Sequence, residues 1–334
     1  MTKHLLIIRL SAFGDVAMTV PVISILRSTH PEIKITVLTT KFFSTLYNQI
    51  PDINFLYFEP KHKTLIGLFS LSREIHNINP DYIIDLHDVL RTKILKFFLI
   101  YKFSNTLAVN KGRKEKKLLI RGIKSGPLKP MHQRYAETFA ALNIKINLDD
   151  FSYYKKIDID HYNYGFSSKD KLIGIAPFAR HQCKEYSMKN ILNFINLLDK
   201  SWHILIFGAP GNEEQKIIKL CDNNSNRHVI SSSYSLEKQM AIMSNLDAMI
   251  SMDSANGHIA SLFGADVITI WGATHPNAGY APFNQRQKNS IMPDLKKFPK
   301  VPVTVYGVDC PKEYVNAINT INPETILNRV NEII

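Results

Sequence analysis

Short apolar runs, each followed by a longer stretch of helical period, recur along the whole chain. Residues 5–10, 34–40, 54–58, 82–86 and 106–109 predict strands in the first half. Residues 172–177, 202–207, 229–231, 248–252 and 267–271 repeat the pattern in the second half. Residues 16–28 predict a helix ending ahead of His30-Pro31, and 134–142 predict another. Asn322-Pro323-Glu324 opens a last helix, with proline at the favoured first turn. Strands alternating with helices at this spacing build βαβ units around parallel sheets, here in two series. The polar, Tyr- and Asp-rich passage near 148–168 is the expected linker. The block 111–129, with Gly112, Gly122, Gly126, Pro127 and then Pro130, predicts a long loop.

At 334 residues, 45% hydrophobic and 21% charged, the chain suits a soluble protein of two domains, each with its own core. The opening apolar run is too short for a signal peptide and ends at Arg9. No uninterrupted apolar stretch nears the roughly 20 residues of a membrane span. Residues 94–103 come closest, and Lys96 and Lys102 interrupt them. Cys183, Cys221 and Cys310 lack metal or redox spacing, as in a reducing cytoplasm. The net charge of +12 is lopsided: residues 1–165 hold 24 Lys and Arg against 14 Asp and Glu, and the remainder 17 against 15. A basic first lobe implies an anionic partner. The densest cations, among them Arg113, Lys114, Lys117 and Arg121, lie between Lys111 and Arg134. They lack interleaved aromatics and any recognised nucleic-acid motif, which argues against nucleic acid.

The chemistry gathers where predicted strands end. Gly14-Asp15 follows the first strand and opens a helix, offering a carboxylate to deprotonate a hydroxyl. Asp is also a favoured helix cap, so the two readings stand together here. Asp253-Ser254-Ala255-Asn256-Gly257-His258 follows a late strand and opens a helix whose amides and dipole suit a phosphate. Capping by Asp253 or Ser254 is the plainer alternative. Arg180 and Lys184, after the first strand of the second series, can neutralise a diphosphate, or simply be solvated cations. Asn212 or Glu213, at the turn after Gly208, is placed for a ribose hydroxyl. Asp85-Leu86-His87-Asp88, leading to Arg91, ends another strand and offers polar contacts to an acceptor. There is no Walker-type loop, no G-x-G-x-x-G and no His-Glu-x-x-His.

In order and spacing these stretches resemble glycosyltransferase family 9, the lipopolysaccharide heptosyltransferase family. Arg9-Leu-Ser-Ala-Phe-Gly14-Asp15 with Pro21 resembles its N-terminal signature. Asp85-Leu-His-Asp with Arg91-Thr92 resembles its D-L-H-G…R-S stretch, Lys184-Glu185-Tyr186 its lysine followed by glutamate and an aromatic, and Asp253 to His258 its D-[ST]-G-x-x-H. Ala255 departs from the usual glycine there. The resemblance implies a GT-B fold: residues 1–160 as an acceptor-binding Rossmann-like lobe, 161–322 as a nucleotide-sugar lobe, an interlobe cleft, and 323–334 as a helix packing back on the first lobe. It implies an inverting, metal-independent transfer without cofactor, with Asp15 as base and Lys184 as the second catalytic residue. A nucleotide-diphosphate sugar, ADP-heptose, is the implied donor, with Lys184, Arg180, Asn212, Glu213, Asp253, Ser254, Ala255, Gly257 and His258 on its side. Ser11, Gly14, Arg91, Arg113, Lys114, Lys117 and Arg121 are expected on the side of an anionic glycolipid acceptor. Such an acceptor places the protein in the cytoplasm, peripheral at the inner-membrane surface. A non-catalytic nucleotide-sugar-binding module, or a related transferase with another sugar, are the alternatives.

Overall fold

The apolar runs of the first half become strands of one parallel sheet in the computed structural model, which describes residues 3–99, 105–160, 164–221, 224–231 and 233–334. In chain order the elements are β1 (His4–Ile8), α1 (Phe13–Ala17), α2 (Val20–Thr29), β2 (Lys34–Thr39), α3 (Lys41–Ser44), β3 (Ile53–Tyr57), α4 (Leu65–Ile78), β4 (Tyr82–Asp85), α5 (Leu90–Phe98) and β5 (Thr106–Ala108). The strand order is β3-β2-β1-β4-β5, with Leu6 registered against Thr36 on one side and Ile83 on the other. Residues 100–103 of the apolar stretch noted above lie outside the described residues.

The single helix expected over 16–28 is two. Pro21 sits in the first turn of α2, has no N–H to give, and its ring would clash with the carbonyl four residues back. The break is held by the Thr19 hydroxyl, 2.7 Å from both the Val16 carbonyl and the Tyr47 hydroxyl.

The chain divides into two units. Met1–Lys111 and Met131–Ser152 form the first, and Gly112–Pro130 and Tyr153–Ile334 the second. Two expectations change here. Residues 111–129 are not a loop: α6 (Arg113–Ile120) occupies their centre, and it belongs to the second unit rather than the basic first lobe. Leu119 and Leu128 bury against Ala278, and the Leu128 amide donates to the Asn277 carbonyl at 2.8 Å. After α7 (Met131–Glu137) in the first unit, the expected linker is largely docked on the second. The Tyr154 amide donates to the Leu262 carbonyl, and Asn245 bonds the Ile157 carbonyl. Residues 161–163 of that passage lie outside the described set.

The second sheet carries β6 (Leu172–Ala176), α8 (Met188–Leu197), β7 (His203–Phe207), α9 (Asn212–Cys221), β8 (Arg227–Ile230), α10 (Leu236–Met243), β9 (Ala248–Met252), α11 (Ala255–Leu262), β10 (Asp266–Ile270), β11 (Ser290–Ile291) and α12 (Pro323–Asn331). Its order, β11-β10-β9-β6-β7-β8, is parallel throughout. The final helix belongs to the second unit. Its Ile326 and Val330 are wholly buried in the second unit's core with Ile250, Ile268 and Phe194. Burying each such side chain contributes about 1.5–3 kcal/mol. Among the described residues no helix is long and apolar enough to cross a membrane.

Candidate active site

The first unit assembles a polar cluster where β1 and β4 end. Asp15 falls in the first turn of α1, whose N-cap position is Ala12, so the carboxylate does not serve as the cap. Its Oδ2 instead pairs with Arg9 Nη2 at 2.9 Å, and the Tyr135 hydroxyl lies 3.5 Å from Oδ1. Arg9 is buried; its Nη1 donates to the Leu86 carbonyl at 2.6 Å, and its guanidinium lies over the Tyr135 ring. One carboxylate oxygen is thereby fixed, and the side chain stays 26% exposed. Gly14 lies within α1, one residue after its start at Phe13.

His87 completes this cluster. Asp85, wholly buried, pairs with Lys96 Nζ at 2.8 Å and accepts the amides of His87 and Asp88, which tightens the turn after β4. That turn places His87 Nε2 3.3 Å from Ser11 Oγ. Burial first, then the positive charges of Arg9 and Lys111, push the imidazole down to about 3. Below pH 6.5 an unfolded chain takes up this proton while the native state refuses it until about 3. Stability is therefore lost as pH falls through that window, by at most about 1.4 kcal/mol per pH unit from this one group. In His87→Gln that loss should vanish, so thermal melts should show wild type and variant converging on acidification from pH 6.5; parallel curves would deny the burial of a neutral ring. Arg91, also expected here, lies on α5 with its guanidinium 5.2 Å from the Phe58 ring centroid.

In the second unit two predicted stretches, distant in sequence, meet. Lys184 Nζ lies 2.8 Å from Asp253 Oδ2, with both side chains largely buried. The Thr274 hydroxyl donates to the same Oδ2 at 3.0 Å. Asp253 directly follows β9, and α11 begins two residues later with Ser254 at the N-cap position. The Ser254 side chain makes no capping bond; its Oγ lies 3.2 Å from Ser251 Oγ. The first amides of α11 thus carry no side-chain cap among the described residues, and their dipole end adjoins a lysine. An anion fits such a place. Ala255 is an ordinary first helical residue, so the glycine usual there is not required by this backbone. Gly257 sits tightly: a Cβ there would stand 3.2 Å from the Ser251 and Val267 side chains, which would have to give by a few tenths of an ångström. His258, in the same turn, is buried.

The loop bearing Lys184 is held from both sides. Glu185 accepts the Ala179 amide at 3.1 Å, and the Tyr186 hydroxyl bonds the Ile321 carbonyl. Arg180 is exposed on this loop. With Lys184 it adds to burial in lowering the His181 imidazole. The ribose candidates separate: Glu213 closes its own turn by accepting the Ala209 amide at 2.7 Å, while Asn212 is exposed at the start of α9. Arg113, Lys114, Lys117 and Arg121 lie on or beside α6, with Lys114, Lys117 and Arg121 exposed. Lys116 is not a surface cation, since its ammonium donates to the Tyr280 hydroxyl at 2.8 Å. Cys183 and Cys310, 127 positions apart by number, share one apolar cluster, and burial with a hydrogen bond to Cys183 raises the Cys310 thiol to about 12. Tyr135 and Thr274 had no local signal. Arg9 and His87 stood inside recognisable stretches and escaped notice as members of the cluster.

Each unit is a parallel sheet with polar clusters at the carboxyl ends of its strands, where open α/β sheets bind ligands. The chain belongs to glycosyltransferase family 9, the heptosyltransferases, whose sequence model matches residues 68–304. It is 25% identical over 297 residues to the lipopolysaccharide core heptosyltransferase OpsX of Haemophilus influenzae, covering 84% of this chain and 82% of that one. Its fold is similar to a family 9 glycosyltransferase from Veillonella parvula, with TM-score 0.75 and 16% identity over 99% of this chain and 97% of the other. It is also similar to the E. coli heptosyltransferase WaaC with ADP, with TM-score 0.66 and 15% identity over 99% of this chain and all of the other.

Proposed function

We propose that this enzyme moves a heptose from ADP-heptose, with inversion and without a divalent ion, onto an anionic glycolipid of the lipopolysaccharide-core type. The observation that carries the reading is the Lys184–Asp253 pair beside the uncapped start of α11. The diphosphate takes the α11 amides and Lys184, with Ser254 and His258 as further polar partners. Arg180 and either Asn212 or Glu213 are the remaining donor-side groups. The α11 amides, Lys184 and Arg180 meet the charge that grows on the departing diphosphate, the role a metal fills elsewhere. Asp15 takes the proton of an acceptor hydroxyl as that oxygen attacks the anomeric carbon. The bond to the diphosphate breaks, and its electron pair leaves with ADP.

Ser11, Gly14 and Arg91 lie on the acceptor side in this reading. The exposed cations of α6 supply long-range attraction for an anionic acceptor, together with peripheral association at the cytoplasmic face of the inner membrane. A melting series with ADP, UDP and GDP tests the donor. ADP should raise the midpoint progressively, corresponding to about 2.7 kcal/mol at one hundred times its Kd. Equal shifts for all three would overturn the choice of base. ADP binding without turnover on any glycolipid would make the protein a binding module.

A further inference from the structure

Two helices of the first unit each have an apolar face too many. On α4, Leu68, Leu71 and Ile75 enter the core, yet Leu65, Ile66 and Phe69 point outward at 62%, 83% and 52% exposure. On α5, Thr92, Leu95 and Lys96 face inward, and Leu90 and Phe97 stand 74% and 68% exposed. Leu90 and Phe97 lie at i, i+7 on the outer side of α5, while Ile94 between them is half-buried against the core. Phe69 and Phe98 meet edge to face with centroids 5.6 Å apart, and Phe98 in turn meets Phe97, so the two helices present one patch. Five large apolar side chains are exposed within 33 residues, and contiguous apolar patches of this kind mark interaction surfaces.

Charge decides the occupant. Lys63 and Lys93 are exposed at the patch, and Arg91 adjoins Leu90. Lys61 is engaged by Glu59 and Glu74, and Lys93 Nζ lies 4.0 Å from Asp88. Among the α4 and α5 residues just named as exposed, none is acidic. Outward Phe, Leu and Ile with flanking lysines match a layer of anionic lipid, where rings enter the acyl boundary and ammonium groups stay at the headgroups. We infer that this α4–α5 patch docks the enzyme on an anionic lipid surface. Leu90 follows His87 by three residues, so the docking face begins at the polar cluster around Asp15. Resting on the transfer reading above, this lets a lipid-linked acceptor offer its sugar while its acyl chains stay in the layer.

The full-length chain should co-sediment with phosphatidylethanolamine–phosphatidylglycerol vesicles and much less with phosphatidylcholine. The double variant Ile66→Glu, Phe97→Glu should weaken that binding about tenfold or more, while melting temperature and ADP binding stay unchanged. Its transfer to a deacylated, soluble acceptor should also be unchanged. That arm separates the two readings, because vesicle binding is measured without turnover. Undiminished vesicle binding by the double variant would overturn the patch. So would a wild-type dimer in light scattering that the same substitutions dissociate, since the face would then belong to a second copy. If the variant melts early, Leu65→Ser with Leu90→Ser, both exposed, repeats the test with smaller changes.

Discussion

Asp15→Asn should lower transfer by about 10²–10⁴-fold, the usual worth of a positioned general base, and leave the Kd for ADP unchanged. The carboxylate has a second job, since it neutralises Arg9 at 2.9 Å. Losing that partner leaves a buried guanidinium with the Leu86 carbonyl and the Tyr135 ring, so a lower melting temperature is expected as well. Asp15→Glu separates the two effects. Glutamate keeps the charge and the pairing with Arg9, so stability should return. Its carboxylate, however, is displaced by one methylene, and a displacement of about 1 Å costs on the order of 10²-fold in rate. If Asp15→Glu restores both stability and turnover, the residue only anchors Arg9 and the base lies elsewhere.

How much of this was legible beforehand follows from the range of the interactions. Strands such as β9, residues 248–252, were read to the residue because a fully buried strand is a continuous apolar run. The two-residue β11 was missed, having no pattern long enough to register. The segment 111–129 misled because its glycines and prolines are local signals, whereas α6 is fixed by distant partners. Those partners are Lys116 on Tyr280 and Leu119 and Leu128 on Ala278. Propensity is a weak prior, and tertiary packing overrode it. The same holds at the site. Gly257 was visible as glycine, but the reason for it, Ser251 and Val267 pressing at 3.2 Å, depends on the packing of α11 on the sheet. Asp15 was visible as cap or base, and Arg9 and Tyr135 converging on it removed the cap.

Lys184→Met should raise the Kd for ADP by about 30-fold or more and reduce transfer further still. The reason is not only a lost cation. Asp253 is largely buried and would be left with Thr274 as its remaining named partner, beside the proposed diphosphate position. Removing one partner of a buried charge pair costs about 2–5 kcal/mol, much of it the penalty of stranding the other charge. Asp253→Asn added to Lys184→Met removes that stranded charge while keeping the side chain's shape. The double variant should therefore bind ADP better than Lys184→Met alone, though worse than wild type. Titration calorimetry over the four proteins gives the coupling term directly. If Lys184 touches the diphosphate, Asp253→Asn by itself should preserve nucleotide affinity, because the lysine is released toward the anion. Equal losses for both single variants, with none recovered in the double, would make the pair a strut of the β6 and β9 edge. The donor's charge would then rest on α11 alone.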